Sequence, residues 1–293
     1  MSKTIKILII LLIVLAIFFI IKDIYDSISK KEIKTTEITV NNCTELDSIL
    51  TELNYTIDNI FIDSIVTCVF INNTPSYLKE QKVKLRKSIF KRILLSNILK
   101  SNQNILKERH KLIHLINKGD TKNIFVLEMA QKYSGDTANL EELLQRVDIV
   151  PPSLAIAQAI TESGWGTSRY AKEGNALFGH HVSKNDTGKF IQSKYSKVKL
   201  KAFDTVLQSV EAYMHNINST RTYRLLRLER RNIRLQDDKI TGKKLTPYLT
   251  RYSVKGIEYV NALNSMIRVQ KLARFDFVSL NKCDKEIIIS VNK

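Results

Sequence analysis

One carboxyl group stands where it could act as a catalytic acid. Glu162 comes at the end of an apolar segment, and Gly164 and Gly166 follow it. Pro151 and Pro152 favour a helix start, so the pattern predicts a buried helix that ends near Glu162. The unpaired carbonyls of a last helical turn and apolar surroundings both favour the protonated carboxyl and raise its pKa. Such an acid can protonate the leaving group of a glycoside; the alternative is a solvated glutamate at a helix end.

The residues around Glu162 carry a family motif. Residues 161–179 read TESGWGTSRYAKEGNALFG, and matching segments follow at 201–227 and 251–268. This order resembles the bacterial glucosaminidases of glycoside hydrolase family 73, within them the Bax-like group, where a helix-borne Glu-Ser-Gly-Trp-Gly precedes an Asn-x-x-Phe-Gly turn. The likeness covers residues 122–268 and extends more weakly towards the N-terminus. It implies a mostly helical, lysozyme-like domain that hydrolyses β-1,4 bonds of N-acetylglucosamine in peptidoglycan, with Glu162 as general acid.

A second catalytic group is less evident. Glycosidases usually use two carboxyl groups, and in many relatives the second lies on a hairpin lobe. The corresponding stretch here, residues 190–203, contains no carboxylate. Asp186 is the nearest acidic candidate, because Asp204 is expected to cap a helix. One hypothesis is that the N-acetyl group of the substrate attacks the anomeric carbon, with Tyr252, from the segment that matches the family's tyrosine motif, as the orienting hydroxyl.

Other candidate substrate contacts are aromatic or amide side chains. Trp165 and Phe178 could form platforms or walls for sugar rings, although both could equally be core residues. Tyr259 is a candidate binding residue, with a core tyrosine as the alternative. Asn175 is expected to tie the turn by side-chain to backbone hydrogen bonds and so support Glu162.

The histidines and cysteines do not indicate a metal site. His180 and His181 are adjacent, so on a strand they would point to opposite faces, and no third ligand stands at a recognisable spacing. The cysteines Cys43, Cys68 and Cys283 are far apart, and Cys43 with Cys68 is the most plausible pair. We expect no metal and no cofactor.

The charge of the chain is strongly positive. Its formal net charge is +17, which suits nucleic acid, an anionic membrane surface, or an anionic wall polymer whose peptide stems carry carboxylates. We expect no nucleic-acid binding, since no recognition module is present. Six arginines lie partly on one helical stripe: Arg221, Arg224, Arg227, Arg230, Arg231 and Arg234. They form either a solvated helix face or a surface that attracts an anionic polymer.

The N-terminal segment predicts a membrane anchor. Ile5 to Ile21 is apolar except for Lys6, and no small-residue cleavage signature follows it. The expected topology is single-pass in the inner (cytoplasmic) membrane. Lysines flank the segment on both sides, so charge does not fix its orientation. We expect the catalytic domain on the extracytoplasmic (periplasmic) side only because a wall hydrolase must act there.

The predicted fold is mainly α (α+β, lysozyme-like): a helical domain with a small β-hairpin lobe, preceded by a transmembrane helix. The expected organisation is an anchor at 1–22, a juxtamembrane and accessory α/β region at 23–121, a glucosaminidase domain at 122–270 and a C-terminal tail at 271–293. Periodicity predicts strands at 37–40 and 60–71, one long or two shorter helices within 79–118, helices at 124–133 and 140–147, a hairpin within 180–203, a helix capped by Asp204, and a closing helix before Arg268.

Two other functions fit the same residues. A muramidase or lytic transglycosylase would use one glutamate and cut the other glycosidic bond. A wall-binding or scaffold protein without activity would explain the missing second carboxylate. The expected partners are peptidoglycan glycan strands and, through the N-terminal helix, the membrane; the oligomeric state is not indicated.

Overall fold

The computed structural model describes residues 33–183, 187–194 and 196–292. The predicted anchor, Ile5 to Ile21, lies outside these residues, and no helix within them is both long and apolar enough to cross a membrane. The described chain is mainly helical with few strands. The helices are α1 Cys43–Glu52, α2 Ile57–Asp63, α3 Val83–Asn117, α4 Ile124–Tyr133, α5 Leu140–Arg146, α6 Pro152–Ser163, α7 Arg169–Gly174, α8 Val206–Ser219, α9 Arg224–Leu235, α10 Gly242–Leu245 and α11 Ile257–Val269.

Seven strands and four 3-10 turns complete these elements. The strands are β1 Lys34–Val40, β2 Ile65–Val66, β3 Val69–Ile71, β4 Phe190–Gln192, β5 Lys199–Lys201, β6 Ser279–Leu280 and β7 Lys285–Val291; the 3-10 turns are Ser76–Glu80, Arg221–Tyr223, Thr246–Leu249 and Leu272–Phe277. The predicted hairpin is confirmed by antiparallel β4 and β5. The predicted strand at 37–40 falls within β1.

The predicted strand at 60–71 is wrong in its first part. Residues up to Asp63 belong to α2, which the hydroxyl of Thr56 caps by accepting a hydrogen bond from the Asn59 amide at 3.2 Å. Ser64 then takes the left-handed conformation and ends the helix. Local capping thus overrides the β-branched composition, and only β2 and β3 are extended.

The segment predicted as a tail is part of the packed structure. β7 lies between β1 and β3 and is parallel to both, with Ile288 opposite Glu37 and Phe70. Ile289 is fully buried in this three-stranded sheet. The apolar run of β7 therefore covers core surface that the helices leave open.

The cysteine pairing also differs from the prediction. Cys68 is bonded to Cys283, and Cys43 is free and buried. The short parallel pairing of β2 with β6 brings Cys68 beside Cys283, whereas Cys43 begins α1 inside the core. Burial raises the pKa of the Cys43 thiol to about 11.

Helix α3 is the central element, and it is one helix, not two. It buries Ile93, Leu94 and Ile98 completely and rises over about 50 Å. Asn97 donates to the Ile71 carbonyl in β3 at 3.2 Å. Asn102 forms a two-way pair with the backbone of Val150, at 2.8 and 3.0 Å. Helix α3 therefore joins the sheet to the segment that begins α6.

The helix that follows the hairpin begins one residue later than predicted. Thr205 is the N-cap, and its hydroxyl accepts from the Gln208 amide at 3.2 Å. The Gln208 side chain accepts in return from the amides of Thr205 and Asp204. Because this reciprocal capping box satisfies the first turn, Asp204 is left to pair with Lys189 on the hairpin.

Part of the arginine stripe, in α9, is internal. Arg234 makes two hydrogen bonds of 2.6 Å to the carboxylate of Asp148, which is 2% exposed. Arg230 is fully buried and donates to the carbonyls of Ile149 and Gln145 at 2.7 and 2.6 Å. These guanidinium groups hold the pKa of Asp148 below its usual range despite burial. This part of the stripe therefore fixes the loop before α6 and is not available to a polymer.

Replacing Asp148 with asparagine should lower the free energy of unfolding by about 3–5 kcal/mol, because it leaves buried arginine charge uncompensated. Urea unfolding of the purified protein measures the change. The matched control is Asp238→Asn, whose partner Lys244 lies on the surface. A midpoint shift no larger for Asp148→Asn than for the control would contradict the assigned role.

Candidate active site

Glu162 lies in the last turn of α6, where the chain turns sharply. Gly164, Trp165 and Gly166 are consecutive left-handed residues, with φ of 59°, 63° and 72°. A Cβ on Gly166 would stand 2.7 Å from the ring of Phe90, so glycine is required there by space as well as conformation. These three left-handed residues end α6, so Glu162 lies in its last turn.

Ser163 strengthens this turn from the buried side. Its hydroxyl donates to the Ala159 carbonyl at 2.6 Å and accepts from the Gly166 amide at 2.9 Å. The side chain is fully buried. Ser163 therefore stabilises the helix end and is not placed as a nucleophile.

A chain of hydrogen bonds runs from the core to the Glu162 carboxyl. Tyr213 donates to the Gln158 side-chain oxygen at 2.7 Å, and the Gln158 amide donates to the Tyr259 hydroxyl at 3.1 Å. Tyr259 donates to Oε1 of Glu162 at 3.0 Å. Every donor points the same way, so the bonds polarise one another and fix the carboxyl. We name Tyr213, Gln158 and Tyr259 the tyrosine relay.

The electrostatic environment of Glu162 favours its protonated form. Burial raises its pKa, in the direction that the sequence predicts, while the Tyr259 hydrogen bond and the charges of His181 and Lys255 lower it in part. Gly179, at φ +67°, passes close by: a Cβ there would lie 3.1 Å from Oε2. The missing side chain keeps Oε2 open towards the cleft.

Asn175 supports this arrangement from the interior. It is left-handed at φ 50° and 2% exposed, and it does not line the cleft. Its Oδ1 accepts from the Thr74 amide at 2.9 Å, and its Nδ2 donates to the carbonyls of Phe203 and Asp204 at 3.1 Å. The side-chain to backbone ties that the sequence predicts are present.

Some of the aromatic candidates line the cleft, and Trp165 lies away from it. Phe178 and Tyr252 line the cleft with Glu162, and the Tyr252 hydroxyl donates to the Phe178 carbonyl at 3.0 Å. The Tyr252 ring stacks on Tyr259 with centroids 5.4 Å apart. Trp165 is half-buried against Phe90 and is not among the cleft residues. The hydroxyl that contacts Glu162 thus belongs to Tyr259 and not to Tyr252.

The cleft has a volume of about 980 Å³ and contains two further carboxylates that the sequence interpretation missed, Glu108 and Glu211. Glu108 accepts from Lys132 and from the Tyr133 hydroxyl, both at 2.6 Å. Burial raises the pKa of Glu211 on α8. The helical spacing of the buried α8 residues does place Glu211 on the opposite face, but spacing cannot tell a cleft from open solvent.

The remaining candidates lie near the hairpin. Asp186 is outside the described residues. Both His180 and His181 border the cleft. Burial, with the charges of Lys201 and His181, lowers the pKa of His180 to about 4, so this imidazole is neutral at physiological pH. Within the described ranges, no group of three or more His, Cys, Asp or Glu side chains could hold a metal ion.

This chain is similar to known proteins in a family model, in a pairwise sequence match and in solved structures. A family model described as mannosyl-glycoprotein endo-beta-N-acetylglucosaminidase matches residues 137–272. Protein bax of Escherichia coli K12 is 33% identical in an alignment of 208 residues that covers 67% of this chain and 73% of that protein.

Among solved structures, the catalytic domain of the autolysin Auto from Listeria monocytogenes is 20% identical, with a TM-score of 0.33, and covers 57% of this chain and 87% of its own. The glycoside hydrolase domain of FlgJ from Salmonella typhimurium is 24% identical, with a TM-score of 0.30, and covers 42% and 76%. The relationship rests on the sequence matches, with Glu162 inside the matched segment. The chain belongs to the Bax-like glucosaminidases, a family of glycoside hydrolases.

Proposed function

We propose that the protein is an endo-β-N-acetylglucosaminidase that cleaves β-1,4 bonds of N-acetylglucosamine in peptidoglycan, with Glu162 as general acid. The observation that carries the proposal is a carboxyl group with a raised pKa, held by the tyrosine relay at the wall of a large cleft. A carboxyl group with a raised pKa keeps its proton to higher pH than an ordinary glutamate, and it can supply the proton that the leaving group needs.

The two oxygens of Glu162 have different surroundings. Oε1 accepts the hydrogen bond from Tyr259, whereas Oε2 faces Gly179, which has no side chain to cover it. In the proposed mechanism the proton is carried on Oε2 and passes to the glycosidic oxygen as the bond to the anomeric carbon breaks. The relay holds the carboxyl in place during this transfer.

The N-acetyl group of the substrate is the proposed nucleophile. Its carbonyl oxygen attacks the anomeric carbon, and water later opens the cyclic intermediate with Glu162 as base. Tyr252 orients this group: its hydroxyl donates to the Phe178 carbonyl and can still accept the amide N–H of the substrate. Phe178 closes the cleft floor, where it stacks on Tyr213 at 4.1 Å.

The proposed location is the extracytoplasmic side of the inner membrane, with residues 1–22 as a single-pass anchor. Peptidoglycan lies on that side. The Cys68–Cys283 bond supports the same location, because disulfides persist in oxidising compartments such as the periplasm.

Replacing Glu162 with glutamine should reduce the release of glycan fragments from purified peptidoglycan by about 10²–10⁴-fold, because the amide keeps the shape but cannot donate the proton. Mass spectrometry should find N-acetylglucosamine at the new reducing ends. Glu173→Gln is the matched control, since Glu173 pairs with Arg169 outside the cleft.

Other products would favour other functions. N-acetylmuramic ends would indicate a muramidase, and anhydro ends a lytic transglycosylase. If neither the parent nor the variant released fragments while both bound the glycan, the proposal would be replaced by a wall-binding function.

Replacing Tyr259 with phenylalanine should move the alkaline limb of the kcat/KM profile to higher pH. Activity requires protonated Glu162, so it is present below the pKa of this group and is lost as the pH rises through it. The Tyr259 hydroxyl favours the ionised carboxylate, and its removal raises the pKa further. Tyr252→Phe removes a hydroxyl that contacts Phe178 instead, so this control should leave the limb in place. A downward shift for Tyr259→Phe would disprove the relay's electrostatic role.

The product anomer tests the N-acetyl route. Attack by the substrate's own amide followed by water retains the β configuration, which NMR can follow during hydrolysis of a chitooligosaccharide or of peptidoglycan strands. Prompt appearance of the α anomer would exclude this route. Glu211→Gln would then test the cleft carboxylate as the base that activates water.

A further inference from the structure

A second groove lies beside the active-site cleft. It has a volume of about 480 Å³, and its lining includes Arg221, Arg224 and Arg251 with Leu225 and Tyr248. All three arginines are exposed, and Leu225 is 62% exposed. The groove therefore combines three cationic groups with an apolar surface.

The groove arginines differ from the other arginines of the stripe. Arg230 and Arg234 bind Asp148, and Arg231 pairs with Glu141. In the part of the chain that the structure describes, the three groove arginines form neither an ion pair nor a side-chain hydrogen bond. The nearby carboxylate, Glu229, interacts with Tyr248, which lines the groove. The groove thus has an excess of positive charge, and its guanidinium groups are free to bind a ligand.

The groove and the cleft share two chain segments. Tyr223 and Tyr252 line the cleft, with ring centroids 6.1 Å apart, whereas their neighbours Arg224 and Arg251 line the groove. Adjacent residues have Cα atoms about 3.8 Å apart, so the two spaces are separated by little more than one residue. The cleft and the groove therefore adjoin along these two segments.

The proposed substrate carries a suitable group. Each muramic residue of a peptidoglycan strand bears a peptide stem with carboxylates, and a stem of about five residues reaches roughly 16 Å. Uncharged sugar rings would not require three guanidinium groups, whereas a carboxylate matches the planar fork of arginine in a bidentate pair.

We propose that the groove formed by Arg221, Arg224 and Arg251 binds carboxylates of a peptide stem on the glycan strand that occupies the cleft. The inference rests on the proposed function, and it makes the enzyme selective for strands that retain their stems. Leu225 supplies contact area for the aliphatic parts of the stem. Phosphate-bearing wall polymers offer a related anion, and inorganic phosphate is the probe that distinguishes them in the test below.

The test compares kcat/KM on intact peptidoglycan with kcat/KM on glycan strands from which an amidase has removed the stems. We expect the ratio of the intact to the stripped value to exceed one for the parent protein. It should fall roughly tenfold in Arg221→Gln/Arg224→Gln/Arg251→Gln, because each exposed ion pair contributes a factor of about two and the three factors multiply. The ratio should also decrease with salt. The control variant, Lys118→Gln/Lys122→Gln/Lys282→Gln, removes the same charge away from the cleft and groove and should keep the parent ratio.

Each outcome decides between the alternatives. An unchanged ratio in the arginine variant, with circular dichroism confirming that it folds, would overturn the inference. A synthetic stem peptide, titrated by NMR against both proteins, should bind the parent more tightly; binding of inorganic phosphate but not of the peptide would also overturn it. If the parent cleaves neither substrate, the proposed function fails, and the peptide titration still tests the groove separately.

Discussion

The position of α6, which bears Glu162, depends on the buried carboxyl of Asp276. It accepts hydrogen bonds from the amide and hydroxyl of Ser153, at 2.8 and 2.6 Å, and from the Gly242 amide at 3.0 Å. Ser153 lies in the first turn of α6, where unpaired amides attract a negative charge. Gly242 must be glycine, because a Cβ there would stand 2.2 Å from the Ser153 hydroxyl oxygen. One carboxyl therefore joins α6, α10 and the segment after α11.

The turn that faces the other end of α6 is held by contacts that come from a different part of the chain. Asn73 pairs with the backbone of Val291 in both directions, at 2.7 and 2.8 Å. The next residue, Thr74, donates its amide to Asn175, which holds the turn that leads to Gly179, beside Glu162. The three-stranded sheet is thus connected to the active site by a few directional bonds. The sheet acts as the support for the turn opposite the acid.

Local patterns in the sequence predict the site better than they predict its support. Apolar periodicity and the Pro and Gly boundaries locate α6, and the position of Glu162 at its end gives the direction of its pKa shift. The pairing of Cys68 with Cys283 could not be obtained in this way, because the partner strands meet only in the folded sheet.

The contact between Tyr259 and Glu162 could not be predicted from the sequence for the same reason. Tyr252 and Tyr259 both lie in the segment that the family motif covers, and sequence spacing does not tell which hydroxyl points at Glu162. Likewise, six arginines at helical spacing do not reveal that Arg227 and Arg230 are buried while Arg221 and Arg224 are exposed. The burial of Arg230 depends on Asp148 and the loop before α6, which come from an earlier part of the chain.

The central place of β7 has a consequence for biosynthesis. β1 and β3 become neighbours only through β7, and the Asn73–Val291 contacts join residues 218 positions apart in the sequence. Long-range parallel pairing of this kind forms slowly and cannot begin before both partners are present. Asp276, which holds α6, also precedes β7 by only a few residues. The sheet that supports the candidate active site can therefore form only after β7 has been synthesised, so the site is completed late in biosynthesis.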